Sequence, residues 1–194
     1  MRLLLTLALA ILTGCSMIPY DTPEARANIQ RDLNVQPQEI IGITETNWCA
    51  YNYGDSARCR AVQGLGVLTT KGLVLSVYEN KTYYRVFTLK AENTRCTHTI
   101  TSKNTAEIFY AFTDNQAFML APITPGGQMN LPMKVKIYDY LSSQGAKKLI
   151  GSNVVLIKDT GEIAYSDSII LTVATPSPFP SSSPIYIMIN PCDA

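Results

Sequence analysis

The sequence predicts a mainly β fold, an antiparallel sandwich or barrel, with one short helix near its N-terminus. Three observations predict it. From Glu39 onward, about ten short runs rich in β-branched and aromatic residues follow one another at close spacing. Turn-forming clusters such as Thr70-Lys71-Gly72 and Glu79-Asn80-Lys81 separate them. The hydrophobic period changes from helical to strand-like at Glu39.

The helix comes first. Thr22 can cap its start, Pro23 suits the first turn, and Glu24 faces the positive end of the dipole. Ala25, Ile29 and Leu33 recur every fourth residue as one narrow apolar stripe, and Asn34 and Pro37 end it. Ile40-Ile41-Gly42-Ile43 opens the strands, and Val62 to Leu68, Leu73 to Tyr78 and Tyr83 to Leu89 continue them. Leu73, Leu75 and Val77 alternate with Val74, Ser76 and Tyr78, so this strand is expected to be buried on both faces. Ile108 to Phe112 and Ala117 to Ala121 flank the polar turn Thr113-Asp114-Asn115-Gln116 as a hairpin.

Pro122 to Pro132 is a Gly/Pro-rich connection. Met133, Val135 and Ile137 alternate with Lys134 and Lys136, which predicts a half-exposed strand with its lysines outward. The alternative, a helix over Ile137 to Leu149, is disfavoured by Gly145 at about 1 kcal/mol relative to alanine. Val154 to Ile157 and Ile163 to Tyr165 read as a second hairpin around Asp159-Thr160-Gly161, and Ile169 to Val173 as a further strand. Thr175 to Pro184, with four prolines and four serines, is expected to be an irregular exposed loop. Ile185 to Ile189 is expected to be a last core strand, fastened by Cys192.

Ahead of all this stand Met1-Arg2, an apolar run from Leu3 to Leu12, and Thr13-Gly14-Cys15, the parts of a secretory signal. The apolar run is too short to span a bilayer, which needs about 20 residues. Leu12-Thr13-Gly14-Cys15 resembles the lipobox of bacterial lipoproteins. That resemblance implies cleavage before Cys15, lipid on Cys15, and attachment to the membrane through that N-terminal lipid. Ser16 stands where an inner-membrane lipoprotein of that family carries aspartate, which implies an outer-membrane anchor facing the periplasm. The chain then divides into a signal peptide at 1–14, a lipidated tether and short helix at 15–38, and a single β-rich domain at 39–194 that includes the loop at 175–184. Residues 16–21 are expected to be the tether.

Cleavage before Cys15 removes Arg2 and leaves equal numbers of basic and acidic residues, with no basic patch to hold nucleic acid. With Cys15 carrying lipid, Cys49, Cys59, Cys96 and Cys192 remain, an even count that reads as two disulfides in an exported chain. Three pairings are open; the simplest joins Cys49 to Cys59 and Cys96 to Cys192. Metal binding is not expected, because the cysteines lack zinc-site spacing and there is one histidine.

Within 62–90, Gly66-Val67-Leu68-Thr69 followed by Gly72-Leu73-Val74-Leu75 resembles consecutive meander strands of pleckstrin-homology-like or GRAM-like barrels. The resemblance implies a barrel meander and carries no functional residue.

Candidate chemistry is sparse. Cys96 and His98 share one face of a strand, but a cysteine with a disulfide partner is not a nucleophile. There is no nucleophile elbow, phosphate loop, dinucleotide fingerprint or calcium loop, so no catalytic residue and no cofactor are expected. Asp159, Glu162 and Asp139 read as solvated carboxylates. Trp48, Tyr51 and Tyr53, clustered about Cys49, are the candidate binding surface, with a tryptophan packed on the disulfide as the competing reading. The expectation is a non-enzymatic envelope lipoprotein with a structural or adaptor role and an envelope protein as partner. The alternative is a periplasmic binding module for a lipid, glycan or peptide, and a deep apolar cavity would favour it.

Overall fold

The computed structural model describes residues 18–102, 105–151, 154–166 and 181–193. Cys15 and the signal segment, the expected strand at Ile169 to Val173 and residues 175–180 of the expected loop lie outside the described residues.

The N-terminal helix forms as its caps dictate. In α1 (Pro23–Leu33), the Thr22 hydroxyl accepts from the Ala25 N–H at 3.1 Å, and Asn34 closes the last turn with a left-handed φ of 49°. Ala25, Ile29 and Leu33 are all buried. The expected tether at 16–21 is corrected: from Ile18 the chain is already packed. Ile18 is buried beside Ile29 and Leu33, and the Tyr83 hydroxyl donates to the Pro19 carbonyl.

After a short 3-10 turn the strands begin: β1 (Ile40–Asn52), β2 (Val62–Thr69), β3 (Gly72–Glu79), β4 (Thr82–Leu89), β5 (Cys96–Ser102), β6 (Thr105–Phe112) and β7 (Gln116–Ile123). Helix α2 (Leu131–Ser142) and β8 (Lys147–Leu149) follow, then β9 (Ile157–Ser166) and β10 (Ser181–Met188). The protein is mainly β. Eight strands form one mixed sheet in the order β4-β3-β2-β1-β7-β6-β5-β8, antiparallel except for the β5–β8 pair. The stretch at 62–90 is a three-strand meander, and β3 is buried on both faces over Gly72 to Ser76. Strands β9 and β10 pair with each other as a separate ribbon.

Strand alternation splits the side chains between two faces. One face carries Trp48, Leu73, Leu75, Phe109, Phe118 and Leu120, against which α2 packs Met133, Ile137 and Leu141. Gly42 leaves the room this needs: a Cβ there would lie 2.6 Å from the Met133 sulfur. On the opposite face, α1 covers Leu65, Val67, Val74 and Tyr83 at one end. At the other end of that face Met188 packs with Cys49, Tyr51, Cys96 and Phe112.

Three expectations are corrected here. The Met133–Ile137 segment is a helix, not a strand. It is set by Asn130, whose side-chain oxygen accepts from the Met133 N–H at 3.2 Å, and by Pro132 in the first turn. The buried apolar residues Met133, Ile137 and Leu141 recur every fourth position, Val135 is exposed, and Lys134 is buried rather than outward. The helix ends at Ser142, before Gly145, so the alternative at 137–149 does not hold either.

Asp159-Thr160-Gly161 is not a hairpin turn but a bulge inside β9, where the register slips between Pro184 and Tyr186. The Asp159 carboxylate accepts from Gly161 N–H and the Thr160 hydroxyl from Glu162 N–H, so local side chains satisfy the backbone that leaves the ladder.

The expected loop ends earlier than Pro184, because β10 begins at Ser181, and β10 joins the ribbon rather than the main sheet. Of its described side chains only Met188 is buried.

Candidate functional site

The second sheet face supports the ribbon through covalent and backbone ties. Cys96 of β5 is bonded to Cys192, just past β10, and Cys49 of β1 is bonded to Cys59. The loop that Cys59 closes runs beside β10: the N–H groups of Gly54 and Ala57 donate to the carbonyls of Met188 and Tyr186 at 2.9 and 2.7 Å. Met188 N–H donates in return to Asp55, and Ile189 N–H to Leu156. The ribbon therefore stands on the sheet through its C-terminal end, and among the described residues a space is left beneath it.

That space is a cavity of about 490 Å³. Its floor is Tyr51, Ile100 and Tyr110 of the sheet; its walls are residues 154–157, Tyr186 and Met188, with Ala57 and Arg58 from the disulfide-closed loop. Arg58 is the one charged side chain that lines it among the described residues, and it donates to the Ser183 hydroxyl. A neighbouring cavity of about 570 Å³ shares Ile100, Val154 and Leu156 and extends past His98 and Tyr138 to Leu149 and Ile150. A third, about 350 Å³ and polar, lies between the end of β4 and the β6–β7 turn, with Lys90 and Asp114 in its lining.

Burial governs the tyrosines. The Tyr51 phenol, with Tyr110 beside it, is pushed up to about 12, and burial raises Tyr110 as well. Both are neutral hydroxyls at physiological pH. Tyr53 is raised chiefly by burial, and its hydroxyl is shared between the carbonyls of Thr113 and Gln116 at 2.9 and 3.1 Å.

The aromatic trio expected as one surface is divided by the pleat. Trp48 is buried on the α2 face, edge-on to Phe87 at 5.6 Å, and so packs neither on the Cys49 disulfide nor at the surface. Tyr53 braces the β6–β7 turn. Tyr51 alone reaches a cavity. Cys96 and His98 do share a face of β5, but Cys96 is in its disulfide, and His98 Nδ1 lies 3.0 Å from the Leu149 carbonyl. A carbonyl only accepts, so Nδ1 carries the proton. Asp139, Asp159 and Glu162 are exposed.

Among the described residues, no group of three or more His, Cys, Asp or Glu side chains is placed to hold a metal ion, and no helix is long and apolar enough to cross a membrane.

Two features escaped sequence reasoning. Glu45 is 2% exposed in the middle of β1, taking one bond from Gln63 at 3.3 Å while its other carboxylate oxygen has no partner among the described residues. Its polar neighbours Thr44 and Thr46 carry no signal that distinguishes it from a solvated residue. Arg58 lies in a loop with no pattern to mark it, and the disulfide together with the loop's backbone bonds to β10 brings it under the ribbon. No protein family, curated protein or solved structure matches this chain.

Proposed function

We propose that this is an envelope lipoprotein, lipidated at Cys15, held at the outer membrane facing the periplasm, and acting there as a non-enzymatic binding module. The anchor rests on Leu12-Thr13-Gly14-Cys15, and two disulfides agree with export to an oxidising compartment. The role rests on one observation: the apolar cavity of about 490 Å³ beneath the ribbon, within the range of roughly 300–1,000 Å³ that small ligands occupy.

The burial of Ile18 adds a constraint. Three residues beyond Cys15 reach about 11 Å at most, so a lipid at Cys15 would hold the folded body against the bilayer. Such a protein works at the membrane surface and does not reach across the periplasm.

A structural or adaptor role, with an envelope protein as partner, is the second reading. Ile150, Val155, Ile157 and Ile163 favour it as exposed apolar side chains around the ribbon. The resemblance of 62–90 to pleckstrin-homology-like or GRAM-like barrels agrees with the three-strand meander there and assigns no role.

Density-gradient fractionation of cells carrying the full chain tests the anchor: the wild type should travel with outer membranes and Cys15→Ser should appear in the periplasm. Residence of both in the same fraction refutes it. Crosslinking in intact cells through residue 163 tests the adaptor role. A single reproducible protein adduct there would favour it over the binding module.

A further inference from the structure

We propose that the cavity under the ribbon takes a single acyl chain carrying a carboxylate head, a fatty acid drawn from the adjacent membrane. This deepens the binding-module reading and rests on it.

The lining sets the chemistry. Ile100, Leu156, Ile157 and Met188 offer apolar contact, and no acidic side chain lines either this cavity or its neighbour among the described residues. Buried Tyr51 and half-buried Tyr110 add neutral rings without charge. Arg58 is exposed at the cavity and has no carboxylate partner among the described residues, its bond going to a serine hydroxyl. A guanidinium is suited to bidentate pairing with a carboxylate. One cation beside an apolar space is complementary to an amphiphile with one anionic end. The volume lies in the lower half of the small-ligand range, which suits one chain rather than two.

Position sets the source. The α1 cluster that holds Ile18 and the cavity lie on the same face of the sheet, spanned by β1. From Ile43 in the first to Tyr51 in the second is about 27 Å along the strand. A body tethered by three residues beyond Cys15 therefore keeps the cavity within roughly 40 Å of the lipid attachment. Ile150, Val155, Ile157 and Tyr186, exposed around it, give an incoming chain apolar contact outside the cavity.

The test uses the full-length chain in vesicles of phosphatidylethanolamine and phosphatidylglycerol. The probe is palmitate bearing a mid-chain diazirine; irradiation and peptide mapping then locate the label. Label should fall on peptides containing 51–58, 154–157 and 186–188, and unlabelled palmitate should compete it away. Arg58→Glu, at an exposed position, should weaken labelling roughly tenfold, as loss of one charge-assisted contact implies. Ala57→Trp, which fills the space, should weaken it by a similar factor.

Label scattered over the surface, or indifferent to competitor and to both variants, overturns the proposal. So does stronger labelling of the same peptides by a diazirine phospholipid, which would make a two-chain lipid the occupant. Labelling seen only in Cys15→Ser also overturns it, because the protein's own acyl chain would then fill the cavity. The N-terminal peptide in the same digests separates the two ideas. An unmodified Cys15 with a labelled cavity refutes the anchor and upholds the fatty-acid site.

Discussion

The rings of Phe87 in β4 and Phe118 in β7 meet edge to face with centroids 5.2 Å apart, although β3, β2 and β1 lie between their strands in the sheet. Only a strongly curled sheet allows this. The curl makes one interior face, which α2 fills, and leaves an outer face with α1 at one end and the ribbon at the other. The relationship predicts energetic coupling between residues that no hydrogen-bond ladder joins. In a double-mutant cycle with Phe87→Leu and Phe118→Leu, unfolding in urea should give a coupling of about 0.5–1.5 kcal/mol. Strict additivity would mean that the contact does not hold the curl.

How much of this was legible in the sequence depended on the range of the signal. Helix α1 could be read because Thr22, Pro23 and the Ala25-Ile29-Leu33 stripe all act within a few turns. The meander β2–β3–β4 could be read because its turns are short; Asn80 and Lys81 both take positive φ, as a tight hairpin with the sheet's twist requires. Helix α2 is ambiguous in the sequence because Met133 and Ile137 belong to a period of two and a period of four alike. Leu141 and the Asn130 cap decide between them, and both lie outside the alternating window. Asp159-Thr160-Gly161 has the composition of a turn, but composition does not distinguish a turn from a bulge whose partner strand is distant in sequence. The cavity was not legible at all. Its lining comes from six separate segments, brought together in part by two disulfides whose pairing the count of cysteines left open.

Those disulfides should differ in weight. Cys96–Cys192 spans 96 residues of sequence and Cys49–Cys59 spans 10. Loop-closure entropy gives about 4.7 kcal/mol for a loop near 100 residues and about 3 for one near 15. Replacing Cys96 and Cys192 together by alanine should therefore cost roughly 1–2 kcal/mol more than replacing the other pair. The reverse order in chemical denaturation would show that native-state contacts dominate.

Gly64 is required by close approach rather than by conformation. A Cβ there would stand 1.9 Å from the Ser76 carbonyl oxygen, which is backbone and cannot swing aside. Gly64→Ala should destabilise by about 1–3 kcal/mol, as overpacking does. Gly126→Ala, whose nearest neighbour would be a threonine hydroxyl at 3.8 Å, should be close to neutral. Equal melting temperatures for the two variants would contradict the close packing of β2 on β3.

Alkaline pH should unfold the protein in a defined window. Tyr51 and Tyr83 are pushed up to about 12 by burial, above their ordinary 10. Between those values the unfolded chain gives up protons that the folded chain keeps. The stability these phenols contribute is thus complete below pH 10 and lost as pH rises towards 12. Phenolate absorbance should appear together with loss of structure. Ionisation of all tyrosines near pH 10 with the fold intact would contradict their burial.

The central claim is that lipid on Cys15 holds this body at the membrane. The most direct measurement is the mass of the N-terminal proteolytic peptide from the full-length protein isolated from bacterial membranes. The account predicts a peptide that begins at Cys15 and carries acyl chains, and that is lost in Cys15→Ser. A peptide carrying an unmodified Cys15, or one that begins beyond it, would contradict the account.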